Sequence, residues 1–195
     1  MKFRDLTLRD IPSLKAVNGS LTSNSRYKLV RLLEDLELTY KLDIEHDAGP
    51  YNFPDNYSCE EGDESQYCTM ISDITGWGRI AINNGVIVAF CICQEHKVTH
   101  SLYVEGIFVD LSFRGNGIGR TFISSIFKEA GNRNLSSIWL KTENTNMPAC
   151  KFYESCGFRI IGFKENLSKL ELDRTWNFAI YWGFSILENK PLSIK

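Results

Sequence analysis

Hydrophobic and polar positions alternate at the start of the chain and take a helical period soon afterwards. The stretch KFRDLTLRD alternates like a first β-strand, and Asp10 followed by Pro12 is typical of a helix start. We expect helices over residues 10–19 and 24–40. The apolar stripe of the second helix should face the core, and it consists of Leu29, Leu32, Leu33, Leu36 and Tyr40.

Residues 46–76 show neither the alternation of a strand nor the apolar spacing of a helix. They are rich in Gly, Pro, Asn, Asp and Glu, as in HDAGPYNFPDNYSCEEGDESQY. This composition predicts a long loop or insertion. Its acidic cluster is either a solvated face or, if it lies near a site, a surface that attracts a polycation. The cluster consists of Glu60, Glu61, Asp63 and Glu64.

From Trp77 onward the pattern is typical of β-structure. WGRIAI and VIVAFCICQE, joined by NNG, predict a hairpin whose turn favours positive φ, and SLYVEGIFVD predicts a third strand. A glycine-rich loop follows, then a helix over 117–131, a buried strand over 137–142 and a helix over 146–156 that stops at Gly157.

Two more strands are predicted at the end of the chain, in FRIIGFKENLSKLEL and TWNFAIYWGFSI, joined around Asp173-Arg174. Strands and helices alternate in the middle of the chain, and antiparallel hairpins flank them. The predicted fold class is therefore α/β, with a mixed sheet and helices on its faces. A length of 195 residues suits a single domain over 1–195.

Composition and charge narrow the class of partner. The chain is 43% hydrophobic, carries a formal net charge of −2 and contains no polybasic block. We therefore expect no nucleic-acid partner and no anionic membrane partner. The start of the chain lacks the apolar core of a signal peptide, and no apolar run approaches the ~20 residues of a membrane span. These features predict a cytoplasmic protein.

Six cysteines are expected to be free and mostly buried thiols, because a chain of this size does not need disulfides in a reducing compartment. Cys91, Cys93, His96 and His100 have a spacing loosely like that of a zinc site. A strand would put both cysteines on one face, and the turn with the histidines would have to fold back over them. We expect no metal.

The sequence FVDLSFRGNGIGRTFI connects a strand ending at Val109 to a helix beginning near Gly117. We call residues 110–117 the glycine loop. Backbone N–H groups would converge there at the positive end of a helix dipole, an arrangement that binds phosphate, although glycines can also simply make a tight turn. The P-loop motif does not fit. Position 120, where the dinucleotide fingerprint needs a third glycine, is arginine.

The pattern Arg-x-x-Gly-x-Gly, here Arg114 to Gly119, resembles the pyrophosphate loop of the GCN5-related N-acetyltransferases. The preceding strand LYVEGIFVD, the following strand SIWLKTE and the segment NTNMPACKFYESCGF occur in that family's order, so the resemblance covers roughly residues 77–186. Within the family, the chain is most similar to the streptothricin acetyltransferases.

This resemblance implies that acetyl-CoA is the cosubstrate and lies between two parallel strands that splay apart, 102–109 and 137–142. The pantetheine arm would run beside Ile107, Phe108 and Val109 and use main-chain hydrogen bonds. Backbone amides would bind the pyrophosphate, and Arg120 could add charge near it. These amides belong to Arg114, Gly115, Asn116, Gly117, Ile118, Gly119 and Arg120.

Four further positions carry candidate chemistry. Glu105 is the candidate general base, or it points to solvent or binds the amine electrostatically; the adjacent Gly106 could mark a bulge or leave room for substrate. Tyr153 matches the family's general acid, and is otherwise an ordinary core tyrosine. Asn146 and Ala149 lie on the same helical face as Tyr153. Asn146 fits a pantetheine hydrogen bond and also fits a helix cap.

The leading hypothesis is an N-acetyltransferase that acetylates a primary amine of a small cationic acceptor, with streptothricin as the specific candidate. Direct attack in a ternary complex is preferred, because no histidine is placed by sequence near Cys150 or Cys156. Alternatives are a protein, peptide or metabolite amine as the acceptor, or a non-catalytic acyl-CoA sensor. The final strands could complete the site within one chain or across a homodimer.

Overall fold

The computed structural model describes residues 1–34, 37–59, 62–165 and 178–186. The strands are β1 (Lys2–Asp5), β2 (Leu21–Glu34), β3 (Glu37–Phe53), β4 (Gly76–Asn83), β5 (Val86–His96), β6 (Ser101–Val109), β7 (Ser137–Glu143), β8 (Arg159–Glu165) and β9 (Phe178–Ser185). The helices are α1 (Ile11–Leu14), α2 (Asp63–Ser72), α3 (Ile118–Asn132) and α4 (Met147–Ser155). Short 3-10 turns lie at Leu8–Asp10, Asp55–Ser58, Lys97–Thr99 and Leu111–Phe113.

The chain divides into two compact units. Within the described ranges, the first contains residues 1–21, 53–141 and 183–186, and the second contains residues 22–52 and 142–182. The sheet of the first unit has the strand order β1-β4-β5-β6-β7. Its neighbouring strands are antiparallel except β6 and β7, which are parallel. This mixed sheet confirms the predicted fold class.

Helices cover both faces of the first unit's sheet. On one face Ile80, Phe90 and Ile92 share a buried cluster with apolar residues of α1 and α2. On the other face Phe3, which pairs with Ala81, contacts Phe122 of α3 edge to ring at a centroid distance of 5.9 Å. Because successive strand residues point to opposite faces, the near-continuous apolar run of β5 is what two covered faces require.

The second unit contains a long ribbon of β2 and β3, the helix α4, the strand β8 and residues 178–182 of β9. Arg26 of β2 donates to Glu45 of β3 at 2.6 Å, and Thr22 donates to Asn52 at 2.9 Å. A residue later in β2 contacts a residue earlier in β3, so the two strands run antiparallel.

The helix predicted over residues 24–40 is wrong. This segment forms β2 and the start of β3, and Leu32 and Tyr40 of the predicted core stripe are exposed. Leu36 lies outside the described residues, and so does the turn expected at Asp173-Arg174. The helix expected over 10–19 is the single turn α1.

The long loop predicted over residues 46–76 is also wrong, because β3 continues to Phe53 and α2 occupies Asp63–Ser72. Asp63 and Glu64 lie in the first turn of α2, where carboxylates are favoured by the helix dipole. Glu60 and Glu61 lie outside the described residues. The single-domain assignment stays a prediction.

The elements predicted from Trp77 to Gly157 are confirmed. The hairpin turn between β4 and β5 has positive φ at Asn84 and Gly85, and Gly157 after α4 has a φ of 89°. In the part of the chain that the structure describes, no helix combines the length and the apolar character that a membrane span requires.

A bidentate ion pair between Arg4 and Asp10 stabilises the start of the first unit. Arg4 of β1 donates to both carboxylate oxygens of Asp10, at 2.7 and 2.6 Å, and the side chain of Asp10 is 11% exposed. Thr7 adds backbone and hydroxyl donors to the same carboxylate. The hydrogen bond from Arg4 is the largest cause that holds the pKa of Asp10 well below its usual range, with burial opposing it. The pair joins β1 to the turn before α1.

We expect Asp10→Asn to lower the free energy of unfolding by about 1–2 kcal/mol at pH 7, because the charged acceptor of four donors is lost. A carboxyl whose folded pKa is lowered stabilises the fold above its unfolded pKa of about 3.9. The difference between wild type and variant should therefore shrink as the pH falls below about 4. Urea unfolding at several pH values measures it. Asp5→Asn is the control, and an equal loss there would contradict the assignment.

Candidate active site

A β-bulge places Glu105 in an unpaired position on β6. Ile92 of β5 pairs with Gly106 and Cys93 pairs with Val104, so Glu105 is the extra residue of β6. The bulge predicted beside Gly106 is confirmed. Glu105 is half-buried, and a bulge is a common way to re-aim one side chain of a strand.

The space beside Gly106 is filled by the ring of Phe108. A Cβ on Gly106 would lie 2.2 Å from an edge carbon of that ring, and the ring packs on Phe90 at a centroid distance of 5.1 Å. The suggestion that Gly106 leaves room for substrate is therefore wrong. The side chain of Phe108 packs against the core, so it leaves no substrate space beside Gly106.

The second half of β6 is paired along only one edge in the described ranges. Ile107, Phe108 and Val109 pair with β5. The parallel ladder with β7, in contrast, ends at Val104 and Leu140. The other edge of residues 105–109 thus has backbone groups without a ladder partner, and this is where the family resemblance puts the pantetheine arm.

The glycine loop takes left-handed backbone at two alternate residues. Gly115 has a φ of 80°, and Gly117, the N-cap of α3, has a φ of 78° without a capping side chain. A Cβ on either glycine would meet no heavy atom within 4 Å. The loop therefore needs glycine for its conformation, and its outer side is open. The amides of Ile118 and Gly119, in the first turn of α3, have no acceptor within the helix.

Side chains of the glycine loop hold the loop together. Arg114 donates from Nε to the Val109 carbonyl at 3.0 Å and from Nη1 to the Ser20 carbonyl at 2.8 Å. Asn116 donates from Nδ2 to the Phe113 carbonyl at 3.1 Å. These two side chains are thus used by the fold, which leaves the backbone as the proposed phosphate ligand. Arg120 is exposed on α3, and its contribution to phosphate binding stays a prediction.

Asp110 is a residue that the motif search missed. It directly follows β6, and its carboxylate accepts from the backbone amides of Ser112 and Asn18, each at 3.0 Å. Burial raises the pKa of Asp110, but the hydrogen bonds from Ser112 and Asn18 outweigh it, and the pKa is lowered. The available signal was an aspartate two residues before a serine at a strand end, typical of an Asx turn.

In the second unit, α4 begins with Asn146 as its N-cap. The side-chain oxygen of Asn146 accepts from the amide of Ala149 at 3.1 Å, so the helix-cap alternative is confirmed for that oxygen. Ala149 is half-buried. Tyr153 is 7% exposed, and its ring packs edge to face with Phe152 and Phe158. The structure thus groups these three candidates on one short helix.

The thiol of Cys150 is poorly suited to covalent catalysis. Burial raises its pKa to about 11, although a hydrogen bond with Thr142 opposes the shift. At neutral pH the group is a thiol, whereas a nucleophile must be a thiolate. All six cysteines are free, and no group of three or more His, Cys, Asp or Glu within the described ranges is arranged to hold a metal ion.

Residues 32–158 match the model of the Acetyltransferase (GNAT) family, which is more than half of the chain. The chain belongs to this family. The predicted family resemblance is confirmed, and the match contains β6, the glycine loop, α3 and α4.

Named relatives include streptothricin acetyltransferases. The Escherichia coli streptothricin acetyltransferase is 34% identical over 79 residues, 40% of this chain and 45% of that protein. The alanine N-acetyltransferase of ribosomal protein bS18 from Haemophilus ducreyi is 30% identical over 80 residues, 41% of this chain and 54% of that protein. The chain thus spans about half the length of these curated relatives.

A solved structure covers nearly the whole chain. It is a Bacillus anthracis protein with the provisional name streptothricin acetyltransferase, in complex with acetyl coenzyme A. That protein is 27% identical, the superposition covers 94% of this chain and 98% of that one, and the TM-score is 0.74. The likeness therefore extends beyond the family motif to the whole fold.

We expect Gly117→Ala to lower the free energy of unfolding by about 1–2 kcal/mol, because a Cβ in left-handed backbone clashes with the following carbonyl. Gly131→Ala is a matched control near the end of the same helix, where the new Cβ also meets no atom within 4 Å and φ is not positive. It should be neutral or stabilise by up to about 1 kcal/mol. Urea denaturation measures both. Equal stability of Gly117→Ala and wild type would contradict the left-handed assignment.

Proposed function

We propose that the protein is an acetyl-CoA-dependent N-acetyltransferase that acetylates a primary amine of a small cationic acceptor. The observation that carries the proposal is the open backbone of the glycine loop at the start of α3, in a chain that belongs to an acetyltransferase family. The acetyl-CoA bound to the Bacillus anthracis structure supports the same cosubstrate here.

The residues of the first unit fit this cosubstrate. Two glycines with positive φ give the loop a concave backbone of the kind that binds anions, and the N-terminal amides of α3 add donors. Beyond Val104 β6 has no ladder with β7, and an extended arm with amide groups can pair along that edge like an added strand, although the Val109 carbonyl already accepts from Arg114. We assign the pyrophosphate to the backbone of residues 114–120 and the pantetheine to this edge.

Bound acetyl-CoA supplies a thioester whose carbonyl carbon an amine can attack directly. An amine like that of lysine has a pKa near 10.4, so only about one molecule in a few thousand is neutral at pH 7. Glu105 is the proposed base that accepts the amine proton, directly or through water, because the bulge separates its side chain from the regular pleat. Electrostatic binding of the ammonium form is the alternative role of Glu105.

Tyr153 is the proposed general acid that returns a proton to the departing CoA sulfur. The phenol is held in the core by Phe152 and Phe158, which fixes the ring on α4. Asn146, whose oxygen is used as a helix cap, would bind the pantetheine arm through Nδ2 as a donor. The unreactive thiol of Cys150 supports direct attack over an acetyl-cysteine intermediate.

Streptothricin is the specific acceptor that we propose, supported by the relatives of that name. Acetylation would neutralise one cationic group of the antibiotic. The Haemophilus ducreyi relative favours a second candidate acceptor, the N-terminal amine of a protein. Cytoplasmic location and a homodimer, expected from the sequence, stay predictions.

Release of CoA in the presence of amines tests the activity. We expect thiol release from acetyl-CoA to increase at least tenfold over background with streptothricin, and less with an alanine-initiated peptide or lysine. Release that depends only on the peptide would favour the protein acceptor. Tight binding of acetyl-CoA without turnover on any amine would contradict the enzyme and favour an acyl-CoA sensor.

Two isosteric substitutions test the catalytic assignments. Tyr153→Phe should lower turnover by about 10- to 100-fold and leave the affinity for acetyl-CoA nearly unchanged, because only the proton donor is lost. Glu105→Gln should lower the rate by a similar factor, because the proposed proton acceptor is lost while the size of the side chain is kept. Initial rates from pH 5 to 9 measure both. An unchanged rate in Tyr153→Phe would exclude Tyr153 as the acid, and an unchanged rate in Glu105→Gln would exclude Glu105 as the base.

A further inference from the structure

Residues 17–20 form a short connection after α1 that contacts the glycine loop, and we call this segment the strap. The amide of Asn18 donates to Asp110 at 3.0 Å, and the carbonyl of Asn18 accepts from the amide of Leu111 at 3.0 Å. Arg114 donates to the carbonyl of Ser20 at 2.8 Å. The strap therefore holds the loop at both ends of its first five residues.

The strap has its own internal support. The side-chain oxygen of Asn18 accepts from the amide and the hydroxyl of Ser20, at 2.9 and 2.7 Å. This turn orients the backbone N–H of Asn18 and the carbonyl of Ser20 in the strap, the two groups that contact the loop. The side chain of Asn18 thus shapes the strap without belonging to the glycine loop.

A second set of contacts anchors the strap to the turn before α2. The amide of Gly19 donates to the carbonyl of Asp55 at 2.8 Å, and Ser58 donates to the carbonyl of Val17 at 2.7 Å. A Cβ on Gly19 would lie 2.7 Å from the amide nitrogen of Ser58, so glycine is needed for this close approach. The strap is therefore fixed from behind while it holds the loop.

We propose that Asp110, Arg114 and the strap are positioning elements that hold the glycine loop in the conformation that binds the CoA pyrophosphate. The inference rests on the proposed function, because it assigns the same loop to acetyl-CoA. The exposed loop carries two left-handed glycines, which are free to take many conformations unless other contacts restrict them. The contacts from Asp110 and Arg114 flank the first half of the loop and supply that restriction.

The substitution Asp110→Asn tests the positioning role of this carboxylate. A carboxylate accepts at both oxygens. Here Oδ1 accepts from the amide of Ser112 and Oδ2 accepts from the amide of Asn18. An amide has a single acceptor oxygen, so the variant can keep the local turn at Ser112 or the bond to the strap but not both. Asp73 provides a matched control, because it makes the same turn with Thr75, through bonds of 2.7 and 2.6 Å, and within the described ranges its carboxylate contacts neither the strap nor the loop.

The dissociation constant of acetyl-CoA, measured by titration calorimetry, tests the proposal together with turnover at saturating acetyl-CoA. We expect Asp110→Asn to bind about tenfold more weakly, the loss typical of one charged hydrogen bond, with saturated turnover within about twofold of wild type. Asn18→Ala should weaken binding about threefold or more by loosening the strap. Asp73→Asn should bind like wild type.

Hydrogen exchange on the ligand-free proteins gives a readout that does not need acetyl-CoA. Residues 110–117 should exchange faster in Asp110→Asn and Asn18→Ala than in wild type or Asp73→Asn. Unchanged exchange and unchanged affinity in both Asp110→Asn and Asn18→Ala would overturn the proposal, as would an equal loss in Asp73→Asn. If Asp110→Asn does not fold, Asn18→Ala decides. If wild type binds no acetyl-CoA, the proposed function fails, whereas faster loop exchange in Asn18→Ala still supports the strap.

Discussion

The unequal pairing of the two edges of β6 is the constraint on which the site in the first unit depends. One edge pairs with β5 along the strand, whereas the ladder to β7 ends at Val104, immediately before the bulge at Glu105. A bulge bends a strand and increases its twist, so the extra residue itself explains why the parallel ladder ends there. Beyond Val104 this edge of β6 has no neighbouring strand in the described ranges, and an acyl-CoA arm supplies amide groups of the kind that pair along such an edge.

The same bulge connects the proposed roles of Glu105 and of the cofactor-binding edge of β6. An insertion in β6 breaks the alternation of side chains, so Glu105 leaves the regular pleat while Gly106 and Phe108 return to the core face. Phe108 can return only because Gly106 has no side chain, since the ring occupies the position of its missing Cβ. One glycine thus allows the carboxylate and the open strand edge to occur within five residues. A bulky residue at position 106 would disturb both.

Local sequence signals predicted the elements whose conformation depends on residues that are close together in the sequence. The β4–β5 turn, the glycine stop after α4 and the start of α3 all depend on backbone preferences of one or two residues, and each is confirmed. The helix expected over 24–40 failed because the decisive contacts of β2 are long-range. Arg26 pairs with Glu45, nineteen positions away in the sequence, and a local window that finds leucines at helical spacing does not contain that partner. The α2 segment was missed for the reverse reason, since its polar composition hides the buried side chains of Tyr67 and Met70.

The two asparagines of the segment TENTN, Asn144 and Asn146, show that a family motif does not identify every residue with a structural role. The family pattern selects Asn146, but Asn144 is the more buried residue, at 1% exposure. It exchanges hydrogen bonds with the backbone of Tyr27 on β2 and Phe178 on β9, through its own main chain and through both side-chain atoms. Such a residue can be replaced only with the loss of several buried bonds, so its role is to hold the second unit together. The side-chain oxygen of Asn146 accepts from Ala149 at the α4 cap, so the side-chain group proposed for a ligand is the Nδ2 donor. A pantetheine carbonyl is a suitable partner for that donor, whereas a pantetheine N–H is not.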